Sequence, residues 1–93
     1  MIDDTSSFVA ECFWPGVRET DLRALDARAL AQAATLSRAG EDVRYLGSIL
    51  LRDDEVVLCR FQGAAESVRR VVVEAEIPFA RILEAAQSPW PLQ

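Results

Sequence analysis

Apolar residues along this chain fall into four short β-type runs and two longer runs of helical period. Residues 8–14 (FVAECFW) are aromatic and β-favouring, and Pro15-Gly16 stops the run, which predicts a first strand. Thr20 is a candidate N-cap, and Asp21 suits the positive end of a helix. From there to Ala39, the residues Leu22, Leu25, Ala29, Ala33 and Leu36 recur on one face at about 100° per residue, predicting an amphipathic helix. Gly40 supplies its C-terminal stop. Residues 43–51 (VRYLGSILL) and 56–62 (VVLCRFQ) are joined by the polar link Arg52-Asp53-Asp54-Glu55 and predict a hairpin. Residues 64–76 place Val68, Val71, Val72 and Ala75 at i, i+3, i+4, i+7 and predict a second helix ended by Pro78. The run Val71-Val72-Val73 gives a competing strand reading. Residues 79–86 predict a fourth strand, and Ser88-Pro89-Trp90-Pro91 reads as a stiff extended tail.

The resulting order is βαββαβ, the ferredoxin-like α+β pattern. Right-handed crossovers place both helices on one face of a four-stranded antiparallel sheet of order 4-1-3-2, with the first and third strands central. Residues 1–7 are polar and aperiodic and read as a flexible lead-in; residues 8–93 read as a single domain.

Strict alternation assigns each strand two faces. Phe8, Ala10 and Cys12, with Val57, Cys59 and Phe61, and with Val43, Tyr45, Gly47, Ile49 and Leu51, read as the helix-covered face. The set carrying Glu11, Arg44 and Arg60 reads as the open face, because a covered face must be dry. That open face would still bear Val9, Phe13, Val56, Leu58, Leu46, Leu50 and Ile82. An apolar patch of this size points to burial against a second copy, a homodimer packed sheet to sheet, with a monomer of greasy surface as the alternative. Glu11, Arg44, Ser48, Arg60 and Glu84 then become polar groups in an apolar layer. They read either as salt bridges fixing the dimer or, with Tyr45, as a small-ligand pocket. An enzyme built there would use Glu11 or Glu84 as a base raised by desolvation.

Composition narrows the chemistry. The 93 residues are 51% hydrophobic and 27% charged, which is globular, and the net charge of −5 speaks against a nucleic-acid partner. No apolar run approaches a membrane span and no basic-then-apolar leader opens the chain, so a cytoplasmic protein with no membrane partner is expected. Histidine and lysine are both absent, and all ten basic residues are arginine. This removes Ser-His and Cys-His nucleophile pairs and Schiff-base chemistry. Cys12 and Cys59 sit in apolar runs and read as buried, reduced thiols. Asp53, Asp54 and Glu55 could collect a hard cation through oxygen ligands, or form a solvated hairpin tip.

Several short motifs, taken in order, resemble a known family. These are Phe13-Trp14-Pro15-Gly16, the strand Val43-Arg44-Tyr45-Leu46-Gly47-Ser48, the turn Asp53-Asp54-Glu55 before a strand carrying Cys59, and Ile77-Pro78-Phe79. Together they resemble a family of small bacterial proteins, a domain of unknown function that includes nickel-binding members. The resemblance implies a ferredoxin-like subunit, a homodimer within the dimeric α/β-barrel group, and binding of nickel or another divalent metal. Nickel sites commonly use imidazole, which this chain lacks, so carboxylates 53–55 are the metal candidates. The expectation is a small dimeric binding protein for a metal or small ligand, with no evident catalytic constellation. The alternative is a cofactor-free monooxygenase or isomerase with a pocket between the sheet and its partner, a fold-level analogy.

Overall fold

A computed structural model describes residues 6–86, so the expected lead-in, apart from Ser6 and Ser7, and the extended tail lie outside the described residues. The elements are β1 (Ser7–Phe13), α1 (Glu19–Arg38), β2 (Val43–Leu51), β3 (Val56–Gly63), α2 (Ala65–Glu74) and β4 (Arg81–Ala85). All strand pairs are antiparallel, and the sheet runs β2-β3-β1-β4 from edge to edge. Counted from the other edge this is 4-1-3-2, with β1 and β3 central. The chain is thus an α+β domain with the βαββαβ order of ferredoxin-like folds. None of the described helices is long and apolar enough to cross a membrane.

Both helices cover one face of the sheet and build one core. Leu25, Ala29, Ala33 and Leu36 of α1 and Val68, Val71 and Val72 of α2 are buried, the stripes their spacing predicts. They meet Ala10 and Cys12 of β1, Val43 of β2, and Val57, Cys59 and Phe61 of β3. Both cysteines are free and buried.

Helix ends differ from expectation in two places. α1 begins before Thr20, so that residue lies within the helix; the N-cap is Arg18, whose backbone N–H donates to the Asp21 carboxylate at 2.9 Å. The carboxylate therefore satisfies one of the orphan donors and suits the positive helix end. α2 stops at Glu74, two residues short of the expected Glu76. Glu76 adopts φ 57°, and the N–H of Ile77 donates back to the Val72 carbonyl at 3.0 Å. This is the left-handed helix stop that glycine usually makes. α1 ends in the same way with a glycine, Gly40 at φ 95°. Arg28 of α1 reaches across to donate to the Ala75 carbonyl at 2.8 Å, covering an orphan acceptor at the end of α2.

The main correction concerns β2. Its register against β3 slips between Tyr45 and Gly47: Tyr45 pairs with Phe61, but Gly47 pairs with Arg60. Leu46 is the extra residue of a β-bulge, and one extra residue exchanges the faces of everything beyond it. Ser48 and Leu50, expected on the open face, oppose the buried Cys59 and Val57 on the helix-covered face. Ile49 and Leu51, expected inside, oppose Leu58 and Val56 on the open face, and each is 41% exposed. β4 is corrected likewise. Ile82 opposes the buried Ala10 and packs against the core, while Arg81 and Leu83 share the open face with Glu11 and Val9.

Candidate functional site

The face without helices carries Val9 and Phe13 of β1, Val56 and Leu58 of β3, Leu46, Ile49 and Leu51 of β2, and Leu83 of β4. Phe13 is 64% exposed and Leu83 40%. The patch expected from alternation is therefore present, but Ile49, Leu51 and Leu83 replace Leu50 and Ile82 in it.

The six polar residues expected to converge do not form one group. Glu11 lies on the open face, and its carboxylate accepts from Arg81 Nε at 2.7 Å across β1 and β4. This bond holds the Arg81 pKa above its ordinary value. Arg44 is exposed on β2 opposite Gln62. Glu84 is exposed on edge strand β4 opposite Phe8, on the helix side, so it is not an open-face residue. Tyr45 and Ser48 both turn towards α1. Asp26, which sequence reasoning missed, accepts from Tyr45 Oη at 2.5 Å and from Ser48 Oγ at 2.8 Å. Half-buried on α1 beside the buried Leu25, Asp26 looks in sequence like any polar residue at the edge of an amphipathic stripe. Burial, and then the bond to Asp26, pushes the Tyr45 phenol well above its ordinary range. The phenol stays protonated and anchored, so it is no ready proton donor. The neighbouring Cys12, and then burial, push the Cys59 thiol up.

Arg60 is the remaining polar group of the open face. Its Nη2 donates to the carbonyl of Leu46 at 3.2 Å, the carbonyl that the bulge turns towards it. Gly47 adjoins the guanidinium: a Cβ there would make ordinary contact with Nη2 at 3.8 Å, and it is φ 109° at that position that disfavours a side chain. Arg60 Nε is buried and has no hydrogen-bond partner among the described residues. Beside it opens a cavity of about 250 Å³, lined by Val9, Leu46, Ile49, Leu58 and Phe61, with Ser7 and Ala85 at its margin. Glu11 and Tyr45 do not line it, so the trio expected of an enzyme pocket is dispersed.

Asp53, Asp54 and Glu55 are exposed at the β2–β3 turn. The Glu55 carboxylate accepts the Gly16 N–H at 2.8 Å, which ties this turn to the loop after β1. Among the described residues no group of three or more cysteine, aspartate or glutamate side chains is placed to hold a metal ion.

Fold and site together define a two-layer α+β domain with one helix-covered face and one uncovered apolar face bearing a small arginine-edged cavity. No protein-family model matches the chain, and no curated protein matches it. Among solved structures it is similar to SCO4226 from Streptomyces coelicolor A3(2), with a TM-score of 0.68 at 21% identity, covering 89% of this chain and 99% of that one. At this identity the likeness is one of fold.

Proposed function

We propose that this chain is a non-catalytic binding protein that works as a homodimer, two copies packed by their uncovered sheet faces, with a small-ligand cavity at the seam. The observation that carries the reading is the uncovered face itself, where Phe13, Ile49, Leu51 and Leu83 stand 40–64% exposed around half-buried Val9, Leu46, Val56 and Leu58. Contiguous apolar surface of this kind marks an interaction site. A second copy brings an identical surface, so a two-fold pairing buries both at once. Such pairing would place the chain in the dimeric α/β-barrel group.

The cavity supports an organic cargo better than a metallic one. Its lining is apolar with a cation at the edge, whereas the carboxylates at 53–55 stand in an exposed turn with Glu55 already engaged. Nickel binding, which the resemblance implies through some members of that family, would draw on those turn carboxylates. Two free buried thiols suit a reducing compartment, and a cytoplasmic location belongs to the same reading.

Sedimentation equilibrium at micromolar concentration tests the pairing: twice the chain mass is expected, and a single-chain mass overturns it. Titration calorimetry with Ni²⁺ separates the cargo classes. No heat above buffer is expected, and stoichiometric binding would restore the metal reading.

A further inference from the structure

Arg60 is a permanent cation whose Nε is buried and, among the described residues, unpaired, set against an almost wholly apolar cavity. Leaving such a donor unsatisfied is costly, and a half-buried charge at an apolar wall favours a counter-charge. Among the described residues none is supplied there. Glu11, diagonal to Arg60 across β1 and β3, is taken by Arg81. The Leu46 carbonyl satisfies one Nη2 hydrogen but brings no charge.

We propose that the cavity binds a small apolar monocarboxylate, with Arg60 holding the carboxylate and Val9, Ile49 and Leu58 packing its hydrocarbon part. This deepens the binding-protein reading and rests on it. Nε and Nη2 share the edge of a guanidinium that grips a carboxylate with two parallel bonds, and Nη2 keeps a second hydrogen for that purpose. Arg60 lines the cavity, and gripping a carboxylate with this edge would require its side chain to turn so that Nε faces the ligand. One guanidinium balances one negative charge; a dianion would leave charge over in an apolar site, and a neutral ligand would leave the guanidinium unpaired. Size sets a second limit. At about 30 Å³ for each water-sized atom, a cavity of about 250 Å³ holds roughly eight non-hydrogen atoms. Hexanoate fits that count.

The test is an NMR titration of the whole chain with hexanoate and with hexanamide, its neutral counterpart of equal size. Hexanoate is expected to bind about tenfold more tightly or better, the usual advantage of a charge-assisted bond. Arg60→Met should bring hexanoate down to the level of hexanamide while hexanamide changes less than about twofold. Ile49→Trp, made at an exposed position of the lining, should fill the cavity and abolish both; an unchanged circular dichroism spectrum shows that each variant folds. Equal binding of the two probes, binding of neither, or a preference that survives Arg60→Met would each overturn the proposal. The mass measured on the same samples keeps the two readings apart. A dimer that ignores hexanoate leaves the pairing standing and sinks the ligand, and a monomer that prefers it does the reverse.

Discussion

One carboxylate on α1 fastens the irregular strand to the helical layer. Asp26 takes hydrogen bonds from Tyr45 and Ser48, which lie on opposite sides of the bulge in β2 and reach the same oxygen only because Leu46 is extra between them. Tyr45 also packs its ring against Phe61 at a centroid separation of 5.0 Å, so the residue is held at both ends. The consequence is a pH dependence whose sign follows from the raised phenol. Its folded pKa lies above the unfolded value of about 10, so the stabilisation is full below pH 10 and falls as the pH rises beyond it. Urea unfolding between pH 7 and 11 should show stability declining above pH 10, and Tyr45→Phe should make the decline shallower. At pH 7 the same variant should cost about 1 kcal/mol, one net hydrogen bond; an unchanged slope and stability would remove Asp26 and Tyr45 as an anchor.

At the scale of elements, the two helices close with one motif made from different residues. After α1, Gly40 takes the left-handed conformation and Glu41 N–H donates to the Leu36 carbonyl at 3.0 Å. After α2, Glu76 does so at φ 57° with a Cβ that this conformation disfavours. Glu76→Gly should therefore raise stability by about 0.5 kcal/mol in urea unfolding, the relief of strain exceeding the added freedom of the unfolded chain. A loss would mean that the Glu76 side chain holds the turn in some further way. The contrast also explains what was legible. A glycine at position 40 announces a helix end, whereas a glutamate at 76 does not, and the second helix was expected to run on to the proline. The bounds of β2 were legible throughout, because its apolar run is flanked by Asp42 and the acidic turn. Its bulge was not: one glycine in a nine-residue run does not say that the count of alternation restarts there. The faces of β4 follow from its pairing, Ile82 opposite Ala10 and Leu83 opposite Val9, and a five-residue strand of mixed character does not reveal that pairing in sequence.

For the whole molecule, four strands and two helices in this order leave one sheet face that no described residue covers, and an apolar face without helices could be drawn from periodicity alone. The ligand-sized cavity could not, since it depends on which of β2's residues cross to the open side. If two copies meet there, Ile49→Glu places a charge in the middle of the contact without touching the helix-covered core, and the expected result is a folded single chain by sedimentation and circular dichroism. A dimer undisturbed by that charge would move the interface elsewhere. The bulge has one more consequence, for the way this strand can change in length. Removing Leu46 would close the bulge and leave Gly47 to Leu51 opposite the same residues of β3, with Ser48 still facing Cys59 on the helix side and Ile49 still facing Leu58 on the open side. Position 46 is therefore where β2 can lose one residue and keep both of its faces.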